Sequence, residues 1–167
     1  MVKDYGYMFR NDPALADAAK TVTSLARDIS EFISEKLQGE LGSLCGDVGS
    51  EKAVRVVYQS ACSLQHGQQI RTQPIQLLQS CGYEVIEPRN PHLCCGSAGT
   101  YNILQADLAD RLRDEKLESL AETEPQVIAS GNVGCMVQLG SKAPCPVVHT
   151  VELIDWATGG PKPGAIP

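Results

Sequence analysis

Short apolar segments alternate with amphipathic stretches along most of the chain. Four segments rich in valine, isoleucine and other strand-forming residues predict buried strands: Ala53–Tyr58, Tyr83–Glu87, Gln126–Ser130 and Pro146–Thr150. Apolar residues recur every three or four positions between and after them, which predicts helices over 74–80, 100–122 and 151–157, and a turn entering a short helix over 131–142. Strands and helices that alternate at this spacing predict an α/β fold with a small, mainly parallel four-stranded sheet, flanking helices and Rossmann-like βαβ units.

A single amphipathic helix is predicted before the first strand. Asn11 and Pro13 form a helix-start signal, and apolar residues then recur at steps of three or four from Leu15 to Leu37. The glycine- and serine-rich segment 39–50 follows and predicts a loop. We therefore divide the chain into an N-terminal helix with its linking loop (1–50), an α/β domain (51–158) and a flexible, Gly/Pro-rich tail (159–167).

Composition and charge narrow the classes of function. The 167 residues carry a formal charge of −6, which disfavours nucleic acid because that binding depends on neutralising phosphates. No stretch approaches the ~20 apolar residues of a membrane span. The N-terminus also lacks the apolar core of a secretory signal. A cytosolic location is therefore expected, where thiols stay reduced.

Four of the seven cysteines follow predicted strands. Cys62 comes after the first strand, Cys94 and Cys95 after the second, and Cys135 after the third. Because the carboxyl ends of parallel strands meet at one edge of a sheet, all four thiols are expected at one site. Four buried thiolates must bind metal, become protonated or oxidise, and thiolate sulfur is the ligand that iron–sulfur clusters and zinc prefer. The spacing alone does not separate these two kinds of metal centre.

The other candidate residues have less specific patterns. Gly96, beside the cysteines, favours close backbone approach and N–H bonds to sulfur. His66 and His92 lie near the cysteines in the chain and are candidates for an outer shell of the site, with a plain surface role as the alternative. His149 is expected to be structural, and the charged run 107–118 is expected to be a solvated helix face. The remaining cysteines are expected to pack as small apolar residues: Cys45, Cys81 and Cys145.

Three segments around the cysteines resemble the cysteine-rich CCG domain: CSLQHGQQ from Cys62, LCCGSAGTYN from Leu93 and GNVGCMVQL from Gly131. That domain occurs, usually as two repeats, in heterodisulfide reductase subunits, anaerobic glycerol-3-phosphate dehydrogenase, lactate-utilisation proteins and glycolate oxidase iron–sulfur subunits. The last group is the most similar in these motifs. The family pattern ends in Cys-x-x-Cys, whereas Gln138 stands here at the position of the last cysteine. The resemblance therefore implies four cysteine ligands with Gln138 beside them, and residues 1–50 as the tail end of a preceding repeat.

The resemblance implies an electron-transfer iron–sulfur subunit with no catalytic residues of its own. Cys62, Cys94, Cys95 and Cys135 would hold an iron–sulfur cluster, either 4Fe-4S or the non-cubane type of the family. FAD-containing glycolate oxidase subunits would oxidise glycolate to glyoxylate. Electrons would pass toward quinone through this subunit, which also has an N-terminal ferredoxin-like part. The complex would be cytoplasmic and peripheral to the inner membrane, with membrane contact only through partners.

Three alternatives stay open on the sequence. The chain could be a zinc-binding or metal-free module that docks the flavin subunit. It could instead serve the equivalent lactate or glycerol-3-phosphate dehydrogenase, or a heterodisulfide reductase-like complex. Cys94 and Cys95 could also act as a thiol–disulfide pair.

Overall fold

A parallel four-stranded sheet forms the centre of the fold. The computed structural model describes residues 2–37, 39–46 and 53–167. Its strands are β1 (Arg55–Gln59), β2 (Glu84–Ile86), β3 (Val127–Ser130) and β4 (Val147–His149). They lie in the order β2-β1-β3-β4 with every neighbouring pair parallel, and Val56 pairs with Val85 on one side and Val127 on the other. The predicted α/β fold is confirmed.

Helices cover both faces of this sheet. The α-helices are α1 (Tyr5–Met8), α2 (Ala16–Leu25), α3 (Ile29–Leu37), α4 (Leu41–Leu44), α5 (Gln73–Ser80), α6 (Tyr101–Leu104), α7 (Ala106–Ala121), α8 (Val133–Gly140) and α9 (Thr150–Ala157). A π-helix, Ser63–Gln68, follows β1. α5 and α9 pack on one face with Val56 and Tyr58, while α7 and α8 pack on the other with Val57 and Ile128. Both faces of the sheet are therefore buried, and none of the helices described is long and apolar enough to traverse a bilayer.

Two helices, α2 and α3, replace the single helix predicted before the first strand. Asp28 caps α3, because its carboxylate accepts a hydrogen bond from the Ser30 backbone N–H at 2.9 Å while its own N–H donates to Glu31 Oε2 at 2.9 Å. This reciprocal pattern starts a new helix, and Ala26 just before it is extended, with ψ 124°. The prediction of one helix was wrong because the apolar spacing continues across the break.

The helix predicted over 100–122 is also divided. Gln105 leaves the helical region, with φ −132° and ψ 53°, so that the short α6 precedes the long α7. Asn102 in α6 donates a hydrogen bond to Gln138 Oε1 of α8 at 3.1 Å, and this bond holds α6 against α8. The break has no glycine or proline to mark it in the sequence, so local signals did not predict it.

Two cysteines outside the strand-end loops are joined to each other. Cys45, which follows α4, forms a disulfide with Cys81 at the end of α5, and their Cα atoms are 5.2 Å apart. Cys81 is buried and Cys45 packs against the same apolar cluster, so their predicted packing is confirmed. The pairing was not predicted, and it differs from the expectation of reduced thiols. Cys145 is a free, half-buried cysteine packed against the other apolar cluster.

The predicted division into three parts stays a prediction. The boundary between residues 50 and 51, and the end of the loop predicted over 39–50, lie outside the described residues. The beginning of that loop forms α4 instead, with Leu41 buried in the core. Within the predicted tail, Pro163 is buried and Ile166 packs against the core.

Candidate metal centre

Three loops at the carboxyl edge of the sheet carry the four cysteines. Cys62 precedes the π-helix after β1, Cys94 and Cys95 lie in the loop between β2 and α6, and Cys135 lies in the first turn of α8 after β3. β1 and β3 are neighbours, but the chain continues from them to strands on opposite sides of the sheet. This arrangement opens a crevice at the carboxyl ends, which is where α/β sheets place their sites.

The structure brings the four thiols together as two pairs. The Sγ atoms of Cys95 and Cys135 are 3.0 Å apart, and both residues are buried. Cys62 and Cys94 are both half-buried, and Cys94 is near enough to contribute to the raised pKa of Cys62. In the part of the chain that is described, no three His, Cys, Asp or Glu side chains already surround one point as a bound metal ion requires. Metal binding would therefore need the two pairs to rearrange around a common centre.

The buried pair shares one proton. Hydrogen bonding with Cys135, aided by backbone N–H groups of the loop, lowers the pKa of Cys95 to about 6. The same bond, together with burial, raises the pKa of Cys135. Burial, followed by the charge of Cys94, raises the pKa of Cys62. The hydrogen bond between the two thiols therefore favours the thiolate form of Cys95 and the protonated form of Cys135.

Gly96 lets the Cys94–Cys95 loop pass against α7. Its φ is +85°, and an added Cβ would lie 2.3 Å from the carbonyl oxygen of Ala109. Only glycine is compatible with both this backbone conformation and this close approach. The turn also directs N–H groups at sulfur, since Gly96 N–H donates to Cys94 Sγ at 3.4 Å and the Ser97 backbone bonds to Cys95. Such donors stabilise negative charge on sulfur.

Polar side chains at the ends of β1 and β3 hold their two loops together. Ser130 Oγ donates to Gln59 Oε1 at 2.7 Å, and both residues are buried. Asn132 caps α8 by accepting the Cys135 N–H at 3.1 Å, and its amide donates to Ser63 Oγ at 3.1 Å. The sequence analysis did not select these residues. The asparagine before an apolar helical stretch is a recognisable capping signal, whereas nothing in the sequence marks the Gln59–Ser130 pair.

Gln138, which replaces the last cysteine of the Cys-x-x-Cys pattern, links three helices. It lies in α8 and is 8% exposed. Its Oε1 accepts from the Asn102 amide of α6 at 3.1 Å, and its Nε2 donates to the Ala109 carbonyl of α7 at 3.4 Å. Gln138 therefore holds α8, which carries Cys135, against α7, which Gly96 approaches.

Lys116 is buried behind the cysteine loops, which the sequence did not predict. The run 107–118 was expected to be a solvated helix face, but Arg113 and Lys116 are 5% and 0% exposed. The prediction was wrong for these two residues. The loop before Cys94 covers Lys116, whose Nζ donates to the Pro91 carbonyl at 3.0 Å, and Arg113 packs at the end of α8, where its Nη1 donates to Ser141 Oγ at 3.3 Å. Burial lowers the pKa of Lys116, and the charges of the four cysteines oppose that shift.

The three histidines occupy different positions. His66 and His92 both expose their side chains, so a role for them beside the site stays a prediction. His149 precedes α9, and its Nδ1 accepts the Val151 N–H at 3.2 Å. The structural role expected for His149 is therefore confirmed.

All four cysteines fall within the match to a known family. The model of the cysteine-rich domain, CCG, matches residues 56–140, which is about half of the chain. The chain belongs to the CCG cysteine-rich domain family. Cys94, Cys95 and Gly96 form a Cys-Cys-Gly sequence within this match, at the turn that passes against α7.

The CCG chain is also similar to longer bacterial proteins. It is 35% identical to the glycolate oxidase iron-sulfur subunit of Escherichia coli (strain K12) over 156 residues, which are 93% of this chain and 37% of that protein. It is 28% identical to lactate utilization protein A of Bacillus subtilis (strain 168) over 161 residues, 93% of this chain and 65% of that protein. It is 26% identical to lactate utilization protein A of Geobacillus thermodenitrificans (strain NG80-2) over 161 residues, again 93% of this chain and 65% of that protein. The chain therefore spans 37% to 65% of the length of these relatives.

Proposed function

We propose that this chain is the electron-transfer part of an iron–sulfur subunit, with its cluster held by Cys62, Cys94, Cys95 and Cys135. The observation that carries the proposal is the placement of two thiol pairs, from three loops, at one edge of the sheet, with the sulfurs of one pair 3.0 Å apart. Cysteines that only filled space would not need a lysine buried beside them. This cluster of thiols has one, Lys116.

The donor set fits an iron–sulfur group. Thiolate sulfur is the ligand that such clusters use, and the hydrogen bonds that lower the pKa of Cys95 favour its thiolate form. A bound cluster, 4Fe-4S or non-cubane, would supply one-electron transfer. The chain itself contributes the ligands and the N–H donors of the Gly96 turn. Its apolar packing around Cys95 and Cys135 limits the access of water to the sulfurs.

The relatives indicate a source for the electrons. We propose that FAD-containing subunits of the glycolate oxidase type oxidise glycolate to glyoxylate. Two electrons then pass singly through a ferredoxin-like part of the same subunit and this domain toward quinone. The Escherichia coli relative supports glycolate, and the lactate utilization proteins support lactate as the alternative substrate of the partner. In this proposal the complex is cytoplasmic and reaches the inner membrane only through partners.

Anaerobic reconstitution with iron and sulfide tests the centre. The protein should gain visible absorption together with stoichiometric iron and acid-labile sulfide. Cys95→Ser should abolish the chromophore and leave the far-ultraviolet circular dichroism unchanged, because serine nearly preserves the shape of the side chain but is a poor ligand for iron. Cys145→Ser is the matched control, since Cys145 is a free, half-buried cysteine outside the four, and should keep the colour. A colourless wild type, or a coloured Cys95→Ser variant, would contradict the proposal.

Zinc is the second candidate, because four thiolates satisfy its tetrahedral preference. The chain would then be an assembly module that docks the flavin subunit. Stoichiometric zinc that persists through anaerobic reconstitution with iron would favour this alternative. For thiol–disulfide exchange, the geometry favours Cys95 with Cys135 over Cys95 with Cys94. Full alkylation of Cys95 and Cys135 after mild oxidation would count against such exchange.

A further inference from the structure

Lys116 is a cation buried beside the proposed centre. Its side chain lies on the inner face of α7 and is 0% exposed. The ammonium group donates to the carbonyl oxygens of Pro91 at 3.0 Å and Asn90 at 3.5 Å. Among the described residues, the acidic side chains of α7 pair with Arg113 and Lys142, and no ion pair joins Lys116 to a carboxylate.

The charges that stabilise this ammonium group are those of the cysteines. An ion without a partner is strongly disfavoured in a protein interior, and burial accordingly lowers the pKa of Lys116. The groups that oppose this shift are Cys62, Cys95, Cys135 and Cys94. Cysteines from all three loops of the site therefore contribute to the electrostatic environment of this one lysine on α7. The two carbonyl groups that Lys116 binds belong to the segment that leads into the Cys94–Cys95 turn.

We propose that Lys116 is the fixed counter-charge of the cysteine centre and positions the Cys94–Cys95 loop through the Asn90 and Pro91 carbonyls. A centre with four thiolate ligands carries net negative charge, whether it holds zinc or an iron–sulfur cluster. A fixed positive charge nearby stabilises that centre in the low dielectric of the interior. Lys116 is a positioning residue here, since it acts through charge and through the loop rather than as a ligand. Its effect on a reduction potential rests on the proposed function, whereas its effect on metal affinity does not.

Four variants of the full chain separate charge from packing. Lys116→Met keeps the length of the side chain and removes the charge. Lys116→Gln removes the charge but keeps a hydrogen-bond donor for the loop carbonyls, and Lys116→Arg keeps the charge. Lys142→Met is the matched control, because Lys142 is an exposed lysine near the end of α8. Circular dichroism establishes whether each variant is folded. If Lys116→Met does not fold, the comparison relies on Lys116→Gln.

The first measurement is the affinity of the reduced protein for Zn²⁺, in competition with a chromophoric chelator at fixed pH. Removing one unit charge within the site should weaken binding on the order of tenfold in Lys116→Met and Lys116→Gln. Lys116→Arg should stay near the wild-type affinity, and Lys142→Met should match the wild type. Wild-type affinity in Lys116→Gln, or equal weakening in Lys142→Met, would overturn the inference.

The second measurement is the midpoint potential of the reconstituted cluster. Loss of the positive charge should shift the potential of Lys116→Met and Lys116→Gln to more negative values, because the reduced cluster carries one more negative charge. Lys116→Arg and Lys142→Met should leave it near the wild-type value. An unchanged potential in the two neutral variants would overturn the inference and leave the proposed function standing. If no protein forms a chromophore, the proposed function fails and the Zn²⁺ affinities still decide the role of Lys116.

Discussion

Replacing Gly96 by alanine tests how strongly the cysteine loop depends on its contact with α7. Gly96 has φ +85°, a conformation that side chains other than glycine rarely adopt. A Cβ there would lie 2.3 Å from the oxygen, 3.1 Å from the carbonyl carbon and 3.2 Å from the Cα of Ala109. All three are backbone atoms, so no rotation of a side chain relieves the overlap. The loop or the helix must move.

Two costs add in this variant. A residue with a Cβ in the left-handed region costs about 1–2 kcal/mol, and overpacking costs about 1–3 kcal/mol more. The sum, roughly 2–5 kcal/mol, is a large share of the ~5–15 kcal/mol that stabilises a typical domain. For a chain of this length, the melting temperature should fall by roughly 4–20 °C.

Thermal and urea unfolding of the metal-free protein, followed by circular dichroism, measures this cost. Gly140→Ala is the control, since Gly140 lies in α8 and nothing lies within 4 Å of an added Cβ. Alanine there should be neutral or stabilising, by up to about 1 kcal/mol. Gly96→Ala should also weaken metal binding, because a displaced loop moves Cys94 and Cys95. A wild-type unfolding midpoint for Gly96→Ala would refute the reasoning.

Three further predictions concern single contacts. Gln138→Ala should lower the free energy of unfolding, measured in urea, by about 1–3 kcal/mol because the Asn102 amide loses its acceptor; an unchanged free energy would exclude that role. In the reduced, metal-free protein, thiolate absorbance should appear near pH 6, and Cys135→Ala should move that midpoint upward because Cys95 loses its donor. The pKa of Cys95 in the folded protein lies below the unfolded value of about 8.5, so its thiolate stabilises the fold. That stability is fully present above about pH 8.5 and is lost as pH falls through about 6. Urea midpoints that do not fall over this pH range would contradict the prediction. Asp28→Ala should cost about 1 kcal/mol in the same unfolding assay, because α3 loses its cap, and an unchanged midpoint would exclude that role.

The sheet was predictable because its strands are apolar on both faces. A parallel strand covered by helices on both sides lacks the alternation of an exposed strand, and the sequence Val56-Val57-Tyr58 shows this directly. The observed strands differ from the predicted ones by one or two residues at their ends. The helix breaks at Asp28 and Gln105 were missed, because apolar periodicity records which face is buried and continues across a change of helix axis. The Asp28–Glu31 spacing was a usable capping signal for the first break.

The sequence by itself determined the chemistry of the site, since it places thiols after three successive strands and parallel strands end at one edge. Only the tertiary structure decided which thiols meet. Cys95 forms a hydrogen bond with Cys135, 40 residues away in the sequence, rather than with its neighbour Cys94. Lys116 looks like an ordinary surface lysine in a charged run, and it is buried only because the segment before Cys94 folds over α7. Periodicity and spacing describe contacts along one element. The thiol pairing and the burial of Lys116 depend on how α7, α8 and the cysteine loop pack against one another, which no local pattern contains.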